Sequence, residues 1–242
     1  MFVDSPTEQT TAVTDLILAL QAMVAIFVLR NAPARRLLWT DIWTWTFALL
    51  SVASLLGAVS HGIQLTPSVD AGIWLFVYLA LGILMALFSI AAVTMHWDHK
   101  LGRRCLPFGL IIAFGFFSTT QFWSDSFLLF VVYEGIAMLF ALLLYSSCFW
   151  LRREQGSGFL VSGILVGIVA AVVDTQSSLR LTFIWTFDNH GLFHIVQMLS
   201  LLLLTIGVHS SHQPATELAS DSSSSSIAES STAQLIQSRN LQ

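Results

Sequence analysis

AGIWLFVYLALGILMALFSIAAVTM, from Ala71 to Met95, runs for 25 residues without an Asp, Glu, Lys or Arg. A helix rises about 1.5 Å per residue, so this stretch is long enough to cross the roughly 30 Å hydrocarbon core of a bilayer. It lacks the alternating pattern and the roughly ten-residue length of barrel strands, which leaves a helix as the form that satisfies its backbone in lipid. Six more runs follow the same pattern on either side: Thr11 to Leu29, Leu38 to Gly62, Leu106 to Phe122, Ser126 to Trp150, Gly158 to Leu179 and His190 to Val208. The expected fold is an all-α integral membrane protein, a multi-pass bundle of seven transmembrane helices over residues 11–210. Trp123, beside the shortest run, suits an interfacial anchor.

Composition agrees. Hydrophobic residues make up 55% of the 242 and charged residues 10%, against about 25% charge in a soluble domain, which excludes a water-facing globule. Ten basic residues against fourteen acidic ones give a net charge of −4. No basic cluster is long enough to follow a phosphate backbone, which argues against nucleic acid as a partner. Cys105 and Cys148 are too few for a disulfide framework. The first apolar run lacks a basic leader and a small-residue cleavage site, so it reads as a retained helix behind a short outer tail, residues 1–10. Beyond Ser210 the chain turns polar, with a serine tract from Ser222 to Ser226. Residues 211–242 cannot bury enough apolar area to offset ordering their backbone, and read as a disordered cytoplasmic tail.

Orientation follows from the basic residues, which stay on the cytoplasmic side of short loops. Arg30, Arg35 and Arg36 fall in the first connection, Lys100, Arg103 and Arg104 in the third, and Arg152 and Arg153 in the fifth; the second and fourth carry none and the sixth only Arg180. The N-terminus is therefore expected outside and the C-terminus inside.

An ionisable group in a spanning segment costs a few kcal/mol or more, so its place is a functional hypothesis by default. On this topology His61, Asp70, His190 and His194 all fall at the outer side, and the same half holds Asp15, Glu134, Asp174 and Gln176, with Gln197 one turn below His194. His190 and His194 are four residues apart, which on a helix puts both rings on one face about 6 Å apart along the axis. Two imidazoles on one helix and a third from a neighbour, His61, would offer three nitrogens to a tetrahedral ion with a fourth position for water, the arrangement of catalytic zinc. His96, His99, His209 and His212, on the inner side, read as interfacial residues. Asp70, Asp174, Asp188 and Glu134 could orient a ligating ring or take a proton from water, although Asp70 and Asp188 also suit the capping of helices three and seven. Glu134, about 12 Å along helix five, is no cap and should be neutral, paired or facing water.

Seven helices with His61 ending helix two, Asp70 near the start of helix three, and Phe187-Asp188-Asn189-His190-Gly191-Leu192-Phe193-His194 opening helix seven resemble the CREST superfamily of membrane hydrolases. That group includes alkaline ceramidases, hydrolases that remodel GPI lipids, and the progestin and adipoQ receptors. The resemblance implies that His61, His190 and His194 hold Zn²⁺, that Asp70 stands for the family's helix-three Asp, and that a membrane lipid amide or ester is hydrolysed by metal-activated water. One position departs from the pattern: where the family has Ser-x-x-x-His, this chain has Gly57 four residues before His61. Ser54 and Ser60 cannot take that place, so the usual polar partner is unfilled.

Two other functional classes stay open at this point. A non-catalytic receptor or sensor on the same scaffold is favoured by Gly57. A haem protein could use His61 and His194 as axial ligands. Retinal chemistry is disfavoured because Lys100, the sole lysine, lies in a loop.

Overall fold

The structure, a computed structural model, describes residues 1–31, 37–122 and 126–211. Trp123, Arg35, Arg36, His212 and nearly all of the 211–242 tail lie outside the described residues. Seven helices among the described residues are long and apolar enough to cross a membrane. They are α1 (Pro6–Arg30), α2 (Leu37–Gly62), α3 (Pro67–His96), α4 (His99–Thr120), α5 (Ser126–Ser147), α6 (Ser157–Asp174) and α7 (Asn189–Ser210). A π-helical turn, Cys148–Arg152, extends α5, and a small antiparallel hairpin, β1 (Leu181–Thr182) and β2 (Thr186–Phe187), joins α6 to α7.

Local chemistry sets the ends. Pro6 and Pro67 sit in the first turns of α1 and α3, where no amide donor is needed. Asp188 caps α7 by accepting from the Gly191 amide at 2.9 Å. Three ends differ from the apolar runs by five residues or more. Helix α1 starts at Pro6 rather than Thr11, inside the stretch read as an outer tail, with Ser5 accepting from the Glu8 amide. Helix α4 starts at His99 rather than Leu106, because Asp98 accepts from the Leu101 amide at 2.8 Å and begins a polar first turn before the apolar stretch. The same hydrogen bond holds the Asp98 carboxyl below the usual carboxylate range. Helix α6 stops at Asp174 rather than Leu179, where the Thr175 hydroxyl turns back to the Val172 carbonyl (2.8 Å) and the polar residues that follow leave the helix.

Six helices close a ring in the order α1, α2, α3, α5, α6, α7, and α4 packs outside it, chiefly on α3. Helices α6 and α7 cross closely. A Cβ at Gly207 would lie 2.9 Å from the Leu160 amide nitrogen, and one at Gly163 3.1 Å from that of Leu204, so the two backbones meet as small-residue helix pairs do in membranes. The Ser200 hydroxyl crosses the same seam to the Gly163 carbonyl at 2.8 Å. At the end of the ring away from the N-terminus, Trp39, Trp43, Phe47 and Phe88 fill the centre, with Trp43 and Phe88 edge to face at 5.7 Å and the Trp39 indole donating to the Ala91 carbonyl at 3.1 Å. Phe76, Ile111, Leu143 and Leu151 point outward, the apolar exterior that a hydrocarbon surround accommodates.

At the other end the N-terminal segment is pinned down. The Val3 amide donates to the Gly62 carbonyl (3.1 Å) and the Gln64 amide to the Met1 carbonyl (2.9 Å). This pairing brings the first turn of α1 against the last turn of α2.

Candidate functional site

A cavity of about 790 Å³ occupies the ring, lined from α1, α2, α3, α5, α6, α7 and the residues after α6, with no residue of α4 among those described. Much of its wall is apolar, including Leu18, Phe47, Val77, Leu84, Phe130 and Leu201. Its polar groups gather toward the end where α1 begins. His61 arrives from the last turn of α2, His190 and His194 from the first turns of α7, Asp174 from the end of α6, Asp15 from α1 and Glu134 from α5.

Each imidazole has a carboxylate beside it. His61 donates Nδ1–H to Glu8 Oε2 at 2.6 Å, and His190 donates Nδ1–H to Asp174 Oδ1 at 2.7 Å. Among the described residues the Nε2 atoms of these two rings make no hydrogen bond, and the rings face each other with centroids 6.3 Å apart and planes 29° from parallel. Trp74 meets the His61 ring edge to face at 5.8 Å, and Phe127 meets the His190 ring at 6.2 Å. His194 is held differently. Its Nδ1 is hydrogen-bonded to the Thr14 hydroxyl at 3.1 Å, and its Nε2 faces Asp15 Oδ1 at 3.3 Å. Asp15, at 5% exposure, and His194, at 8%, are buried. Glu134 is buried too, lines the cavity, and makes no hydrogen bond among the described residues. Gln197 Oε1 is likewise buried without a partner.

His61, His190 and His194 thus share one cavity with Asp174 and Glu134, but Asp70 does not join them. Asp70 accepts a hydrogen bond from Ser60 across the α2–α3 turn and is not among the residues that line the cavity. Asp188 acts as the cap of α7 and takes a second hydrogen bond from the Thr11 hydroxyl at 3.2 Å. Two carboxylates missing from the sequence-predicted set belong to the site. Glu8 follows Ser5 by three residues, the spacing of an ordinary capping box, and that pattern conceals its pairing with His61. Asp15 carried the signal of an intramembrane acid without any local sign of its partner.

The donor set fits Zn²⁺ in kind, since zinc takes imidazole nitrogens whose other nitrogen is held by a carboxylate. Its geometry does not fit. Among the described residues no three His, Cys, Asp or Glu side chains come close enough together to hold a metal ion. Asp15 stands in front of His194 Nε2, in the place that a haem iron opposite His61 would need. What the arrangement can do unaided is hold two imidazoles, each oriented by a carboxylate, against one volume able to take a ligand.

No curated protein and no solved structure matches the chain. One family model does, over residues 10–213, a span that takes in all three cavity histidines with Asp15, Glu134 and Asp174 and leaves Glu8 outside. The chain therefore belongs to DUF6962, a family of unknown function.

Proposed function

We propose that the protein is a membrane-embedded hydrolase that cleaves an amide or ester of a membrane lipid, with the acyl chain along the apolar wall of the cavity and the scissile group at its histidine end. The observation that carries this reading is the pair of carboxylate-held imidazoles, His61 with Glu8 and His190 with Asp174, facing each other across 6.3 Å. A carboxylate on Nδ1 fixes the tautomer that leaves Nε2 as a base. His190 Nε2 takes a proton from water as the water oxygen bonds to the acyl carbon, and His61, when protonated, supports the developing oxyanion. Collapse breaks the bond to the leaving amine or alcohol, which recovers the proton from His190 and leaves a fatty acid. The absence of Lys and Arg from the second and fourth connections supports an outward-facing site, with the N-terminus outside.

The resemblance implies Zn²⁺ held by His61, His190 and His194, which would supply Lewis acidity. Because the rings do not converge on one point, no step above depends on it. Metal analysis of the purified protein tests that ion directly, and the expected result for a three-histidine site is about one zinc per chain.

A non-catalytic lipid receptor is the second reading, favoured by Gly57, which leaves the usual polar partner unfilled. Incubating the purified protein with ceramides and phospholipids, with and without chelator, separates the two. Release of fatty acid supports the hydrolase, whereas lipid that is retained but never cleaved supports the receptor.

A further inference from the structure

Gly57 is the position where the chain departs from the Ser-x-x-x-His pattern, and the space beside it is filled. A Cβ built on Gly57 would lie 2.7 Å from Asp15 Oδ2, 3.1 Å from its Cγ and 3.2 Å from Oδ1. Real Cβ atoms do not approach so closely, so a side chain at position 57 would require the Asp15 carboxyl group to move. That group faces the site, because its other oxygen lies 3.3 Å from His194 Nε2 and the residue lines the cavity. Asp15 comes from α1 and Gly57 from α2, and α1 also packs on α7, so one carboxylate is wedged between the helices that carry His61 and His194.

We infer that Asp15 is the positioning residue of His194, and that Gly57, having no side chain, leaves room for its carboxylate. Thr14, next to it in sequence, takes the other nitrogen of the same ring at 3.1 Å. Thr14 and Asp15 therefore flank the two nitrogens of His194, while His61 and His190 keep Nε2 free. The consequence for turnover rests on the hydrolase reading, but the placement of Asp15 does not.

The test uses the full chain in lipid nanodiscs with ¹⁵N-labelled histidine, and reads the ring nitrogens by NMR together with fatty-acid release. Asp15→Asn keeps the volume and removes the carboxylate. It should shift the His194 ring resonances and leave those of His61 and His190 in place, with turnover down about 10- to 100-fold as expected for loss of a supporting carboxylate. Gly57→Ser alone should perturb His194 in the same way by displacing Asp15. Combined with Asp15→Ala, which vacates the space, Gly57→Ser should return turnover to at least ten times that of Asp15→Ala alone, a strongly non-additive pair. Unmoved His194 resonances in Asp15→Asn, or effects of the two positions that simply add, overturn the inference. If the Gly57 variants fail to fold, Asp15→Asn alone still decides it. A wild-type protein that cleaves nothing, yet shows the His194 shift on Asp15→Asn, overturns the hydrolase and upholds the placement.

Discussion

The two ends of the bundle are built from helices of the same apolar character and treat their polar residues in opposite ways. Where α1 begins, Glu8, Asp15 and Asp174 each stand beside an imidazole, and the rings border open volume. At the far end Trp39, Trp43, Phe47 and Tyr145 pack the core, Trp43 and Phe47 also closing the cavity on that side, and polar groups hold helices together: the Arg152 guanidinium donates to the His96 carbonyl that ends α3, and Cys148 lies against the His96 ring. Apolar composition makes the scaffold. Function is expected where imidazoles and carboxylates border open volume.

Perturbing the site end sharpens that contrast most. Asp174→Asn should lower lipid turnover about 10- to 100-fold by releasing the His190 ring, with little change in thermal stability in detergent; loss of stability without loss of turnover per folded molecule would make Asp174 a packing residue. A packing residue at the far end is next in size. Gly207→Val puts a side chain against the Leu160 backbone and should destabilise by about 1–3 kcal/mol, read as a lower midpoint of thermal unfolding in nanodiscs, while the protein that stays folded keeps its turnover. The smallest effect is expected for Asp188→Ala. It removes the α7 cap and should cost about 1 kcal/mol; a hundred-fold loss of turnover instead would move Asp188 from cap to catalyst.

The seven spans were legible because each apolar run is longer than a buried soluble helix needs to be, and the common side of His61, His190 and His194 followed from their places along those runs. What periodicity could not supply was set by contacts between distant segments. Helix α4 began early because Asp98 caps a polar turn, and α6 ended early because Thr175 closes it, both local choices outside hydropathy. Asp70 was drawn to the site by its place near helix three's start, yet Ser60 across the turn takes its hydrogen bond. Glu8 was hidden by a capping pattern, and its partner depends on Met1 to Val3 pairing with residues 62–64. Asp15 was visible as a buried acid, but its grip on His194 depends on how α1 sits between α2 and α7. Whether three rings converge on an ion depends on the rotation of α7 against α2, which spacing along one helix does not determine.

Fatty-acid release from a lipid panel by wild-type protein, His190→Ala, His61→Ala and His99→Ala, measured side by side in nanodiscs, tests the central claim most directly. The account predicts release by the wild type, a loss of at least about 100-fold in each of the two site variants, and activity within about twofold of wild type for His99→Ala, whose ring is exposed at the far end. Release that survives both His190→Ala and His61→Ala would contradict it.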